Sequence, residues 1–192
     1  MNNKIFVFLF EGFSDWEIAY LTPEINKSKA FDLVYFSKDG KPVSSMGGLC
    51  VQPNISLAEI NIDDVHMLIL PGGTCWEHGG NSEIDLLVQQ LFIEHKTIAA
   101  ICAATTYLAK QGFLDHLKHT SNDLFYLKHC APQYKGDQNY INSFAVTDGQ
   151  IITANGIATI EFAKEIFEKL NLKTKTDIEK WFQLFKNGIW SE

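Results

Sequence analysis

Short apolar runs alternate with longer amphipathic stretches along the chain. The runs Lys4–Phe10, Met67–Leu70 and Thr97–Ile101 are almost wholly apolar, as is typical of strands buried on both faces of a parallel sheet. Phe31–Ser37 predicts a further strand. Because strands and helices alternate, the pattern predicts a doubly wound α/β fold, with a mostly parallel sheet and helices on both of its faces.

Most stretches between these strands have the spacing of amphipathic helices, and turn residues indicate two hairpins. The predicted helices are Asp15–Lys27 (kinked or shifted by Pro23), residues 82–95, Ala103–Gln111, Asn122–His129, Ile157–Leu170 and Asp177–Lys186. One hairpin is predicted within Pro42–Val51, and a second joins Phe144–Thr147 to Gln150–Thr153. No linker or internal repeat divides the chain, so residues 1–192 are predicted to form a single domain.

Composition and charge disfavour several classes of function. The 192 residues carry a net charge of −7, which opposes binding to nucleic acid or to an anionic membrane. No apolar stretch reaches membrane-spanning length, and the N-terminus does not resemble a secretory signal. The four cysteines lack CxxC spacing and a zinc pattern. We therefore expect a cytoplasmic protein with free thiols, no metal and no cofactor.

In a doubly wound sheet, the ligand crevice lies at the carboxyl ends of the strands. One predicted strand ends at Ile101 and passes through Cys102 directly into a helix. A nucleophile on such a strand-to-helix elbow needs small neighbours, which Ala100 and Ala104 provide. The helix N-terminus is expected to stabilise the thiolate and lower the pKa of Cys102. The alternative is a core cysteine with no chemical role.

Two glycines, Gly72 and Gly73, follow Leu70 at the end of the neighbouring predicted strand. Their backbone can adopt conformations that other residues avoid, and it has no side chain to exclude a ligand. With the N–H of Ala103, their N–H groups predict an oxyanion hole beside the cysteine. The alternative is a simple turn that ends the strand.

A carboxyl group, Glu17, is predicted in the first turn of the helix that follows the first strand. It is flanked by Phe13, Trp16 and Ile18, so we expect it to be partly buried. Burial raises the pKa of a carboxyl group, which would let Glu17 remain protonated and donate a hydrogen bond to the sulfur of Cys102. The alternative is an ordinary acidic partner of the helix dipole.

These segments together resemble the DJ-1/PfpI family, within the class I glutamine amidotransferase-like superfamily. The matching segments are the opening strand with Glu17, Leu-Pro-Gly-Gly at Leu70–Gly73, Ala-Ile-Cys-Ala at Ala100–Ala103 and Thr-Ala-Asn-Gly at Thr153–Gly156. The resemblance implies a flavodoxin-like three-layer sandwich, a reactive Cys102 and Glu17 as the protonated carboxyl beside it. It also implies Gly73 and Ala103 as oxyanion donors, and a homodimer.

The chain departs from the family pattern at the histidine positions. Protease-like members have a histidine directly after the cysteine, where this chain has Ala103, and others have one near Asn122. An amide can orient a substrate but cannot act as a general base, so Asn122 is predicted to bind substrate. His119 and His78 are the possible replacements for the missing histidine. Without a Cys–His pair, peptidase activity is disfavoured.

The leading expectation is a small-molecule hydrolase or lyase, in which Cys102 attacks an electrophilic carbonyl carbon. Glyoxal-like dicarbonyls, their adducts and small amides are the substrates considered. One alternative is a stress-response protein that senses oxidants through oxidation of Cys102. Another is a dimeric interaction module without activity.

Overall fold

The computed structural model describes residues 4–190. Nine strands and six α-helices are found in this range. The strands are β1 Lys4–Phe8, β2 Asp32–Ser37, β3 Val43–Ser44, β4 Cys50–Val51, β5 Ile55–Ser56, β6 Val65–Leu70, β7 Thr97–Ile101, β8 Ala145–Asp148 and β9 Ile151–Ala154. The helices are α1 Thr22–Ser28, α2 Asp85–Ile93, α3 Ala104–Lys110, α4 Leu124–Cys130, α5 Thr159–Leu170 and α6 Lys175–Asn187.

Seven of the strands form one sheet in the order β5-β2-β1-β6-β7-β9-β8. All neighbouring pairs are parallel except β8 and β9, which form the predicted hairpin. β7 and β9 consist almost entirely of buried residues, which requires cover on both faces of the sheet. The predicted flavodoxin-like sandwich is therefore confirmed.

The sheet order places three strand ends side by side. The chain leaves β1 towards β2 on one side and returns to β6 on the other, so the direction of strand addition reverses between β1 and β6. Leu70 pairs with Ala100, and Ile101 pairs with Ala154. The segments that follow β6, β7 and β9 therefore meet at one edge, next to the crevice where ligands bind in such sheets.

The predicted helix Asp15–Lys27 is wrong in its extent. A 3₁₀ turn, Asp15–Glu17, is separated from α1, which begins at Thr22 with Pro23 in its first turn. Proline is well accommodated there because a first-turn residue needs no intrahelical N–H bond. Of the two effects predicted for Pro23, the helix is therefore shifted and not kinked. Glu17 consequently lies in a separate turn at the carboxyl end of the sheet.

The remaining elements follow the sequence prediction closely, with small changes at their ends. The hairpin within Pro42–Val51 is confirmed as the antiparallel pair β3 and β4. The predicted helix 82–95 begins with a 3₁₀ turn, Ser82–Ile84, before α2. The strand β5, which the sequence did not indicate, pairs with β2 at the sheet edge.

Candidate active site

Cys102 occupies the elbow between β7 and α3. Its φ is +59°, in the left-handed region that residues other than glycine seldom adopt. The conformation is fixed by hydrogen bonds on both sides of the residue. Its N–H donates to the carbonyl of Ala154 at 2.9 Å, and its carbonyl accepts from the hydroxyl of Thr105 at 2.6 Å. The sequence-predicted elbow is confirmed, and it presents the sulfur at the edge of the sheet.

Gly156, in the segment after β9, approaches the sulfur closely. A Cβ atom placed there would lie 2.7 Å from Sγ of Cys102, a separation that real side chains do not adopt. The sulfur therefore occupies space that only glycine leaves open. Sequence reasoning did not assign Gly156 to the site, although it lies within the matching segment Thr153–Gly156.

Glu17 is fully buried, and its carboxyl group lies against Gly72. The Gly72 N–H donates to Oε2 of Glu17 at 2.6 Å. A Cβ atom at Gly72 would lie 2.7 Å from that oxygen and 2.8 Å from Cβ of Cys102. Glycine is therefore required here so that the carboxyl and the cysteine can lie on either side of the backbone. The other oxygen, Oε1, is buried without a hydrogen-bond partner in the described chain.

The predicted role of Gly72 as an oxyanion donor is wrong, because its N–H is already bonded to Glu17. Gly73 and Ala103 remain the backbone candidates for that role. Gly73 has a φ of +151°, and a Cβ there would lie 2.8 Å from the Gly12 carbonyl oxygen. The Ala103 N–H already acts on the sulfur, since it lowers the pKa of Cys102.

Burial raises the pKa of Glu17 to about 7, although the hydrogen bond from Gly72 opposes this. The raised pKa of Glu17 agrees with the sequence prediction.

For Cys102 the prediction of a lowered pKa is wrong. Burial, followed by the negative charge of Glu17, raises the pKa of its thiol to about 12. Desolvation of the sulfur thus outweighs the seven-residue helix α3 that begins behind it.

These two acids therefore act as a coupled pair. Near neutral pH the pair carries one negative charge at most, and Glu17 ionises before Cys102. At that pH the Cys102 thiol is protonated, with the more acidic carboxyl group of Glu17 beside it. Glu17 is thus suited to act first as a base and then, once protonated, as an acid.

Asn122 lies beside the sulfur, at the position where the family resemblance expects a histidine. Its side-chain Nδ2 donates to Sγ of Cys102 at 3.6 Å, and its Oδ1 accepts from the Gly156 N–H at 2.9 Å. The amide is therefore oriented from both ends, with its donor towards the sulfur. An amide in this orientation can hold a substrate oxygen but cannot exchange a proton.

The two candidate histidines are placed elsewhere. His119 is buried, with Nδ1 2.6 Å from the carbonyl of Leu117 and Nε2 2.6 Å from the hydroxyl of Tyr134. Burial lowers the pKa of His119, and both ring nitrogens already have partners within the fold, so neither is free to bond to Cys102. His78 is exposed at the end of a 3₁₀ turn and does not line the cavity at Cys102.

A cavity of about 420 Å³ opens onto the sulfur. Glu17, Cys102 and Asn122 line it together with residues that sequence reasoning did not assign to the site: Trp16, Asn155, Gly156 and Ile157. Trp16 and Ile157 are ordinary apolar residues in the sequence, and only the fold places them together. The cavity is large enough for a small organic molecule.

Residues 4–190 contain neither a metal-binding cluster nor a membrane-spanning helix. Within that range, no three His, Cys, Asp or Glu side chains are grouped so that they could hold a metal ion. Nor does any helix there have the length and apolar character needed to cross a membrane.

Comparison with known proteins agrees with this geometry. The model of the DJ-1/PfpI family matches residues 3–169. The chain is 37% identical over 190 residues to a Bacillus subtilis protein named "Uncharacterized protease YoaZ", covering 95% of this chain and 90% of that protein. It is 27% identical over 119 residues to "Deglycase PfpI" of Pyrococcus furiosus, covering 62% of this chain and 71% of that protein.

A solved structure of a related protein has the same fold. The DJ-1 superfamily protein Atu0886 of Agrobacterium tumefaciens superposes with a TM-score of 0.89 at 35% identity, covering 97% of this chain and 98% of that one. The fold is thus shared over nearly the whole length of both chains. The chain belongs to the DJ-1/PfpI family.

Proposed function

We propose that this protein is a cysteine-dependent hydrolase or lyase that acts on small electrophilic carbonyl compounds, with glyoxal-like dicarbonyls as the leading class. The observation that carries the proposal is the pairing of Cys102 with a fully buried Glu17 at the end of an open cavity. A buried acid with a pKa of about 7 is suited to proton transfer at neutral pH.

The reaction of a 2-oxoaldehyde illustrates the chemistry. The ionised Glu17 takes the proton of the Cys102 thiol as the sulfur bonds to the aldehyde carbon. The π electron pair of the C=O bond moves to the oxygen, which the side-chain amide of Asn122 and the Ala103 N–H can stabilise. Protonation of that oxygen by Glu17 gives a hemithioacetal.

The second half of the reaction needs only a proton shift and water. Glu17 removes the proton from the former aldehyde carbon and delivers it to the neighbouring carbonyl carbon. The hydroxyl proton of the hemithioacetal passes to the neighbouring carbonyl oxygen, and the product is the thioester of a 2-hydroxy acid. Water then breaks the C–S bond, restores the thiol and releases a 2-hydroxy acid. One carbon is oxidised while its neighbour is reduced, so no redox cofactor is required.

The names of the relatives support a carbonyl substrate more than a peptide. The Pyrococcus protein is named a deglycase, which implies chemistry on carbonyl-derived adducts. The Bacillus protein is named an uncharacterized protease. A cysteine peptidase needs a base that can also protonate the leaving amine, which is usually a histidine. Here the sulfur is flanked by Glu17 and Asn122 instead, so peptidase activity is not proposed.

Turnover of methylglyoxal to lactate, followed by proton NMR, tests the proposal. Wild-type protein should convert it catalytically, and Cys102→Ser should lose the activity. Cys130→Ser is the matched control, since that thiol does not line the cavity, and it should retain full activity. Equal turnover by wild type and Cys102→Ser would contradict the proposal.

Oxidant sensing through Cys102 is the second candidate function. When the Glu17 carboxyl group is protonated, the hydroxyl at its unpartnered Oε1 could donate a hydrogen bond to an oxygen on an oxidised sulfur, and so could the Nδ2 of Asn122. Against this, the raised pKa of the thiol leaves little thiolate to react with peroxide. Stable addition of two oxygen atoms to Cys102 at low peroxide, measured by peptide mass spectrometry, would favour sensing.

The assembly and location belong to the same proposal. We place the enzyme in the cytoplasm, because its four thiols show no pattern of structural disulfides. We also propose a homodimer, as the family resemblance implies. Light scattering on a size-exclusion column should give twice the chain mass of 21.7 kDa, and a monomer mass would contradict it.

A further inference from the structure

The described residues that line the cavity at Cys102 offer no positive charge to a substrate. All 16 basic residues of the chain are lysine, so no arginine is available to bind a carboxylate or phosphate. Among the described residues that line the cavity, none is a lysine or a histidine. Its ionisable groups are both acids, Glu17 and Cys102. A substrate that carries a negative charge near the reacting carbon would therefore be repelled and left without a partner.

Two large apolar side chains stand at the mouth of the same cavity. Trp16 is 46% exposed and Ile157 is 80% exposed, although such side chains are usually removed from water. Single exposed apolar residues are common on proteins, but two that share the rim of one cavity form a surface suited to an apolar ligand.

Both rim residues are carried on turns that are held in place. The turn with Trp16 is tied to the β3–β4 hairpin, because Oδ1 of Asp15 accepts a hydrogen bond from the Gly47 N–H at 3.2 Å. The turn with Ile157 is fixed by Asn155, whose Oδ1 accepts from the Ile157 N–H at 3.2 Å. The apolar rim is therefore preformed, which lowers the entropic cost of binding against it.

We propose that Trp16 and Ile157 make this site selective for uncharged carbonyl substrates that carry an aromatic or bulky apolar group next to the reacting carbons. This inference rests on the proposed function and specifies its substrate class. The aromatic group packs against the Trp16 ring on one side and the Ile157 side chain on the other, while the carbonyl carbon reaches the sulfur. Small or anionic dicarbonyls lack one or both of these features.

Steady-state kinetics with three aldehydes tests the inference. Phenylglyoxal supplies the aromatic group, methylglyoxal lacks it, and 4-carboxyphenylglyoxal adds a negative charge to the ring. We expect kcat/KM for phenylglyoxal to exceed that for either of the others by about tenfold or more. Trp16→Ala should reduce the preference for phenylglyoxal over methylglyoxal about tenfold, and Trp16→Phe should largely keep it.

A matched control separates the effect of Trp16 at the rim from a general effect of replacing a tryptophan. Trp190 is 77% exposed and does not line the cavity, so Trp190→Ala should leave the preference unchanged. An equal preference in wild type and in Trp16→Ala would overturn the inference while the proposed function stands.

If none of the aldehydes is turned over, the proposed function is wrong. Binding measurements can still test whether Trp16 and Ile157 select apolar ligands in that case. The probes are acetophenone, acetone and benzoate, each added to Cys102→Ser protein and followed by saturation-transfer NMR. Acetophenone should give a signal that is lost in a variant also carrying Trp16→Ala and Ile157→Ala, and acetone and benzoate should give none. A benzoate signal as strong as that of acetophenone, or an acetophenone signal that survives the rim substitutions, would overturn the inference.

Discussion

Replacing Glu17 by Gln should stabilise the protein at alkaline pH and at the same time impair catalysis. Glutamine can keep the bond from Gly72, because its side-chain carbonyl can accept the N–H that now donates to Oε2. It also has no charge to bury. The stability gained is set by the pKa of Glu17, which rises from the ordinary value of 4.5 to about 7 on folding.

The size and sign of the effect follow from proton linkage. Between pH 4.5 and 7, Glu17 is ionised in the unfolded chain and protonated in the folded one, so raising the pH favours unfolding. As far as Glu17 determines it, the free energy of unfolding is highest below pH 4.5. It decreases between pH 4.5 and about 7 and is constant above about 7. A pKa difference of about 2.5 corresponds to about 3 kcal/mol of unfolding free energy.

Urea denaturation at several pH values measures this difference. The comparison is Glu17→Gln against Glu17, with Cys102→Ser in both proteins, so that the thiol does not contribute. Other titrating groups cancel in the difference. We expect the Gln variant to gain about 3 kcal/mol relative to the Glu protein between pH 4.5 and 8. Parallel stability curves for the two proteins would refute the account of Glu17 as a desolvated acid.

Activity should change in the opposite direction. In wild type, kcat/KM should rise with pH through about 7, as the pair loses its first proton. Glu17→Gln cannot accept the thiol proton, so we expect kcat/KM at pH 7 to fall about 100-fold and the inflection near 7 to disappear. An unchanged pH profile in the variant would show that another group accepts the proton.

The other predictions concern the groups around the sulfur and the two histidines. Gly156→Ala should lower kcat/KM about 100-fold, because its Cβ displaces Sγ of Cys102, while circular dichroism shows intact folding; normal activity would contradict the packing described here. Asn122→Ala removes one donor to the sulfur, and steady-state assays should show kcat about tenfold lower; an unchanged kcat would exclude Asn122 from the chemistry. His119→Ala should lose about 2 kcal/mol or more of stability in urea with little change in the kcat of folded protein. His78→Ala should change neither, and a loss of turnover in either histidine variant that matches Cys102→Ser would reveal a Cys–His pair.

The sequence predicted the fold well because parallel sheets leave a strong pattern. Buried strands such as β1, β6 and β7 need apolar residues at nearly every position, and the helices between them need one apolar face. The same order of strands and helices placed Cys102 at a strand end. Its neighbours Ala100 and Ala104 then indicated the elbow.

The parts that the sequence did not predict depend on distances between segments far apart in the chain. Gly72 was expected to bind an oxyanion, but its N–H is bonded to Glu17, a contact that spans 55 residues. The pKa of Cys102 was expected to fall because only the following helix was considered. Burial and the charge of Glu17, which both raise it, arise from tertiary packing. Trp16 and Ile157 have no local signal that distinguishes them from core residues.

The central claim is that Cys102 attacks the carbonyl carbon and that Glu17 moves the protons. It can be tested by carbon NMR of the protein with methylglyoxal labelled with ¹³C at the aldehyde carbon. In Glu17→Gln addition should be slow, because the thiol proton must leave to water, but it is reversible and reaches equilibrium on long incubation. The reaction should stall there, because no group moves the proton between the two carbons. The stalled adduct gives the resonance of a carbon bonded to both oxygen and sulfur, distinct from the hydrated aldehyde. Cys102→Ser should show no such resonance. Formation of lactate by Cys102→Ser at the wild-type rate, with no sulfur-bonded carbon in Glu17→Gln, would contradict the account.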